Sequence, residues 1–154
     1  MVIGQYLVKL TEKNRTALPK KFRNELGNAV IIARWYEGCL VIVSSKGWKA
    51  LLDKLTGKSE LITEPIRDTD RFILGSAFEV ELDSQGRFVI PKILKDYANL
   101  NEEVTFVGLG DRVEVWNKNA WKEREVYVQE NAAQMVEEVS NKYLRKSWEP
   151  NKNE

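Results

Sequence analysis

The sequence predicts an α+β protein made of two related halves and a long C-terminal helix, and three observations carry that prediction. Asp83-Ser84-Gln85-Gly86-Arg87-Phe88-Val89-Ile90-Pro91 has a counterpart in Thr11-Glu12-Lys13-Asn14-Arg15-Thr16-Ala17-Leu18-Pro19, 72 residues earlier. Each copy reads as a strand end, a tight turn, and a second strand stopped by proline. Before each turn the apolar residues alternate with period two, Tyr6, Val8 and Leu10 in one copy and Phe78, Val80 and Leu82 in the other, as in half-buried strands. From about Asn119 to Arg145, Trp121, Val128, Ala132, Met135 or Val136, Val139 and Tyr143 recur every three or four residues, the spacing of one amphipathic helix.

Taken in order, Thr11 to Asn14 is turn chemistry, because asparagine tolerates the left-handed backbone of a tight turn. Arg15 to Leu18 resumes an extended run, and Pro19 suits the start of a short helix, where its missing N–H costs nothing. Phe22 and Leu26 share one face of that helix, and Gly27 suits its C-cap. Strands follow at Ala29–Arg34 and Cys39–Val43, joined by a hairpin at Glu37-Gly38. Ser45 is placed to cap a helix burying Trp48, Leu51, Leu52 and Leu55, which Gly57 ends. Lys58 to Gly75 reads as a polar connector and a helix, with Pro65 near its start. The pattern then restarts at an offset of 72: Arg15 maps to Arg87, Leu18 to Ile90, Pro19 to Pro91 and Phe22 to Leu94. Past the short helix the offset becomes 73, so that Leu40 and Ile42 match Val113 and Val115, and Trp48 matches Trp121. The expected organisation is a first repeat at 1–57, a connector with a helix at 58–75, a second repeat at 76–122, a helix at 119–146 and a frayed tail at 147–154. Two copies suit a pseudo-two-fold body in which each half covers the other's apolar sheet face. The helical stripe of the tail has two readings, packing on its own domain or contact between subunits.

Composition narrows the function classes. With 43% hydrophobic and 31% charged residues, the chain matches a soluble globular protein. Cys39 is its single cysteine, which rules out an internal disulfide and suits a reducing cytosol. The N-terminus reads as no signal peptide, and no stretch approaches a membrane span. There is no histidine, which removes Ser-His and Cys-His nucleophile pairs and nearly all common zinc sites. No phosphate-binding loop or dinucleotide fingerprint appears. Gly108-Leu109-Gly110 reads as a hairpin between Val104–Val107 and Arg112–Val115, and Glu79 and Glu81 as a solvated strand face. The expectation is therefore no enzyme, no cofactor, no metal and no small-molecule substrate.

Charge is what remains. The net charge is +1, but residues 1–76 hold 13 Lys and Arg against 8 Asp and Glu, whereas residues 77–154 hold 11 against 15. Between residues 9 and 23, Lys9, Lys13, Arg15, Lys20, Lys21 and Arg23 face Glu12 alone. Such a patch in a nearly neutral protein is a docking face for an anion, nucleic acid included, or simply a solvated helix surface. An arginine projecting from a hairpin turn can grip a phosphate or a guanine edge with two parallel hydrogen bonds, and Lys13 adds a nearby point charge. The competing reading for Arg87 is an ion pair with Asp83 four residues before it. The first copy has Thr11 at that position.

Asp83-Ser84-Gln85-Gly86-Arg87-Phe88-Val89-Ile90-Pro91 resembles the Asp-x-x-x-Arg signature of the MraZ family, built from two SpoVT-AbrB-type repeats. Leu26-Gly27, Glu37-Gly38-Cys39-Leu40 and Val107-Gly108-Leu109-Gly110-Asp111-Arg112-Val113-Glu114-Val115-Trp116 look like further hallmarks in the expected order, over roughly residues 1–125. The resemblance implies swapped-hairpin β-barrel halves. It also implies a cytoplasmic, nucleoid-associated bacterial transcriptional regulator that binds double-stranded DNA at short direct repeats upstream of its own operon, the division and cell-wall cluster, as a ring-shaped homo-oligomer. The implied DNA contacts transfer to Arg15 and Arg87, with Lys13 and Asn14 beside the first and Lys9, Lys20 and Lys21 in the surrounding patch. The first copy departs from the pattern, with Thr11 for the usual Asp and Asn14 for the common Gly. The alternative is an antitoxin or assembly module of the same fold whose basic turn binds an acidic protein.

Overall fold

A computed structural model describes residues 1–57 and 62–148. The first residues of the connector and the end of the tail lie outside that range. Residues Met1–Lys118 form one compact unit, and the chain from Asn119 onward forms a second.

The compact unit is mixed α and β. Its strands are β1 (Val2–Lys9), β2 (Arg15–Ala17), β3 (Ala29–Arg34), β4 (Leu40–Ser44), β5 (Phe78–Glu81), β6 (Arg87–Val89), β7 (Glu103–Gly110) and β8 (Val113–Asn117). Its helices are α1 (Lys20–Leu26), α2 (Trp48–Thr56), α3 (Glu64–Ile73) and α4 (Lys92–Tyr97). Six strands make one antiparallel sheet in the order β1-β7-β8-β4-β3-β5, and β2 and β6 make a separate two-stranded ribbon. The large sheet is open, with β1 and β5 at its edges.

The duplication shows in the pairing. β1 of the first repeat pairs with β7 of the second, and β5 of the second pairs with β3 of the first. β2 pairs with β6 and β4 with β8, each strand meeting its own counterpart. Among the described residues only the β3–β4 and β7–β8 hairpins lie within a repeat. Side chains of both repeats fill one core, including Leu18, Phe22, Ile32 and Ile42 from the first and Ile90, Leu94, Phe106 and Val115 from the second. Phe22 and Leu94, equivalent residues of α1 and α4, are both fully buried.

Most expected elements stand where the periodicity put them, including the hairpin at Glu37-Gly38, where both residues take positive φ. Three details differ. Ser45 does not cap α2, because its hydroxyl donates to the Ala29 carbonyl; Ser44 Oγ instead accepts from the Gly47 amide at 2.9 Å. Of the stripe expected on α2, Leu51 alone is buried, Trp48 and Leu52 are half-buried, and Leu55 is exposed. Phe78 is exposed although its counterpart Tyr6, also on an edge strand, is half-buried with its ring edge-on to Phe22 at 5.2 Å. The end of α3 is held from β3: Arg34 donates from Nε to the Phe72 carbonyl at 2.9 Å and from a terminal nitrogen to the Arg71 carbonyl. A cation thus satisfies the orphan carbonyls of the last helical turn.

The described residues of the second unit belong to α5 (Lys118–Trp148), a helix of 31 residues whose first residue closes the compact unit. Within it Arg124 stacks over the Tyr127 ring at 4.7 Å, and Asn131 donates to the Tyr127 carbonyl. Among the described residues no helix is long and apolar enough to cross a membrane.

Candidate nucleic-acid interface

Both signature turns sit on the β2–β6 ribbon, one leading into each strand. In the ladder Arg15 lies opposite Val89, Thr16 opposite Phe88 and Ala17 opposite Arg87. Because side chains alternate along a strand, Thr16 and Phe88 point to one face and are buried there. Arg15, Ala17, Arg87 and Val89 share the other. Arg15 and Arg87 are diagonal neighbours on that face, a relation that places Cα atoms roughly 7–8 Å apart. The ladder thereby brings together two arginines 72 positions apart in sequence.

Each turn is completed by the other repeat. The Asn14 carbonyl accepts from the Ile90 amide at 2.8 Å, and the Gly86 carbonyl accepts from the Leu18 amide at 2.9 Å. Inside the turns the bonding is parallel: the Asn14 amide donates to the Thr11 carbonyl and the Gly86 amide to the Asp83 carbonyl, both at 2.9 Å. Asn14 and Gly86 hold equivalent left-handed backbones, with φ 61° and 78°. Asparagine is among the few residues that adopt this conformation readily, so the missing glycine leaves the first turn intact.

The signature carboxylate does two jobs in the second turn. Asp83 Oδ1 accepts from the amides of Gln85 and Arg87, both at 2.9 Å, and Oδ2 accepts from Arg87 Nε at 2.7 Å. The bonds from the Arg87 amide and guanidinium hold the Asp83 carboxyl down at about 2. In the first turn Thr11 Oγ1 keeps part of the first job, accepting from the Arg15 amide at 3.1 Å. It cannot do the second. Among the described residues nothing hydrogen-bonds or pairs with the Arg15 guanidinium, which is exposed.

Around Arg15 lies an open groove of about 640 Å³ lined by Lys9, Leu10, Thr11, Glu12, Lys13, Arg15 and Glu102. Lys9, Lys13 and Arg15 are thus gathered, with two acids among them. Lys20 is exposed at the start of α1. Lys21 lines a different depression with Met1, Val2, Ile3, Phe22, Asn24 and Glu25. Asn14 serves the turn, its side-chain oxygen enclosed without a hydrogen-bond partner.

Arg23, counted in the basic stretch but not among the site residues, supports the opposite turn. Its guanidinium donates to the Ser84 carbonyl at 3.3 Å, and its side chain fills the space a Cβ at Gly86 would take, 2.4 Å from Arg23 Cδ. The glycine is therefore required twice, for its φ and for this contact. Sequence reasoning misses the contact because Arg23 and Gly86 belong to different repeats.

The family sequence model described as "MraZ protein, putative antitoxin-like" matches this chain twice, at residues 1–72 and 73–145. A relative from Oenococcus oeni, named transcriptional regulator MraZ, is 36% identical over 141 residues, covering 92% of this chain and 98% of the relative. Proteins of the same name from Clostridium acetobutylicum and Caldicellulosiruptor saccharolyticus are 41% and 39% identical, over 80% and 90% of this chain and 86% and 99% of their own lengths. With both repeats matched and the two halves joined strand by strand, the chain belongs to the MraZ family of transcriptional regulators and is not an enzyme.

Proposed function

We propose that the exposed face of the β2–β6 ribbon binds double-stranded DNA, with Arg15 as its leading contact. The observation that carries this is the difference between the two turns. Arg87 spends Nε on Asp83, whereas Arg15 projects a free guanidinium beside Lys13 and Lys9, on a turn stiffened by Thr11 and by the other repeat. A two-stranded ribbon fits the major groove, where arginine reads the guanine edge and lysine neutralises phosphate.

The finer reading follows from energetics. One ribbon supplies a few contacts, too few for tight binding by a nearly neutral protein. Repeating the unit around a ring against short direct repeats of DNA upstream of its own operon raises affinity through effective concentration. That operon is the division and cell-wall cluster, and the protein works in the cytoplasm on the nucleoid.

Gel shift with DNA from upstream of the protein's own operon tests this. Arg15→Ala should weaken binding by about tenfold and shallow the salt dependence by about one ion; Arg87→Ala should cost less, since that guanidinium is already shared with Asp83. Full binding by Arg15→Ala with an unchanged salt slope would remove the turn from the interface.

A further inference from the structure

The ribbon face holds one large apolar side chain. Val89 is 49% exposed, directly opposite Arg15 and two residues from Arg87 on the same face. Its equivalent in the other repeat is Ala17, half-buried and opposite Arg87. A single exposed valine is unremarkable on most surfaces. Here it stands between two cations on the surface proposed to meet base edges, where the apolar group on offer is the 5-methyl of thymine.

Resting on that reading of the ribbon, we propose that Val89 is a specificity-determining residue that packs on a thymine methyl in the major groove. Ala17, at the symmetry-related position, is too short to make the same contact. The pair breaks the pseudo-two-fold symmetry of the face in the same sense as the free and engaged arginines do. One end of the ribbon carries a free arginine opposite a valine, the other an engaged arginine opposite an alanine. A symmetric ribbon would bind equally well in either direction, but this one has a preferred polarity. Polarity is what identical units need if successive copies are to read DNA repeats that all run the same way.

The probe is duplex DNA selected by the full chain from a random-sequence library, then remade with deoxyuridine for thymidine on both strands. Deoxyuridine keeps every hydrogen-bonding group and lacks only the methyl. Burying one methyl is worth about fourfold in affinity at room temperature, so the wild type should bind the uridine duplex about fourfold more weakly per contacted methyl. Val89→Ala should bind both duplexes nearly equally. Val89→Thr, which keeps the β-branch but exchanges a methyl for a hydroxyl, should fall between and guards against a folding defect in the alanine variant. Wild type indifferent to the methyl, or Val89→Ala and Val89→Thr both discriminating as well as wild type, would overturn the role of Val89 and leave DNA binding standing. Failure of the wild type to select any duplex would overturn the DNA reading itself and this inference with it.

Discussion

Arg15 and Arg87 occupy equivalent positions on equivalent turns, and the side chain four residues upstream decides how free each one is. Thr11 and Asp83 both accept the backbone amide that tightens the turn, but a hydroxyl has no second oxygen for the guanidinium. The exchange therefore leaves the turn's geometry in place while freeing a cation and removing an anion that would face phosphate. It also confines one acid-sensitive interaction to the second repeat. The Asp83 carboxyl, held at about 2 in the fold, takes its proton near 3.9 when unfolded. Between those values the unfolded chain binds more protons, so the stabilisation is complete above about pH 4 and is lost as pH falls toward 2. Both partners are well exposed, so salt screens the effect. Asp83→Asn should flatten this part of the acid limb, read from urea midpoints between pH 2 and 5, and high salt should shrink the difference from wild type. The Asp83–Arg87 pair could be read from the four-residue spacing. The buried oxygen of Asn14 and the place of Arg23 under Gly86 could not, because both depend on which segments face each other.

At the scale of elements, period and punctuation served best where an element answers to its own residues. The turn at Asn14, the short helix after Pro19 and the left-handed end of α2 at Gly57 all follow from local backbone preference. Ser45 failed as a cap because its hydroxyl had a tertiary partner in Ala29. The buried stripe of α2 is narrower than its periodicity for a related reason: periodicity marks the face that can be buried, and neighbouring elements decide how much of it is. Gly108 makes the same point for a strand. In β7 it lies opposite Gly4 of β1, and a Cβ there would come 2.7 Å from the Ile3 amide nitrogen and 2.9 Å from the Val2 carbonyl carbon. Backbone cannot rotate away as a side chain can. Gly108→Ala should therefore push β1 outward and cost about 1–3 kcal/mol, measured by denaturant unfolding, with amide exchange speeding up first along Val2–Lys9.

Among the described residues of the compact unit, four of the six strand ladders join one repeat to the other. Neither repeat alone can pair its first strand. Left alone, residues 1–75 would leave β1 without β7 and β3 without β5, exposing edges and half a core. That segment should be largely unfolded by circular dichroism and should regain β structure when mixed with residues 76–154; a cooperative thermal transition from 1–75 alone would show the repeats to be independent. The exchange also builds the functional face, since each turn receives a hydrogen bond from the opposite repeat and the two arginines become neighbours only through the β2–β6 ladder.

The duplication, the α+β class, the two turns with their arginines and the basic stretch beside the first are all legible in the residues alone, because each is a local pattern or a repeated one. Tertiary structure decided which strand meets which, that Lys9, Lys13 and Arg15 share a groove while Lys21 lines another, and that Val89 stands opposite Arg15. The physical reason is that side-chain alternation says which face of a strand is buried but not what lies beside it. Partner choice is a long-range property, settled by the single core that both repeats fill together.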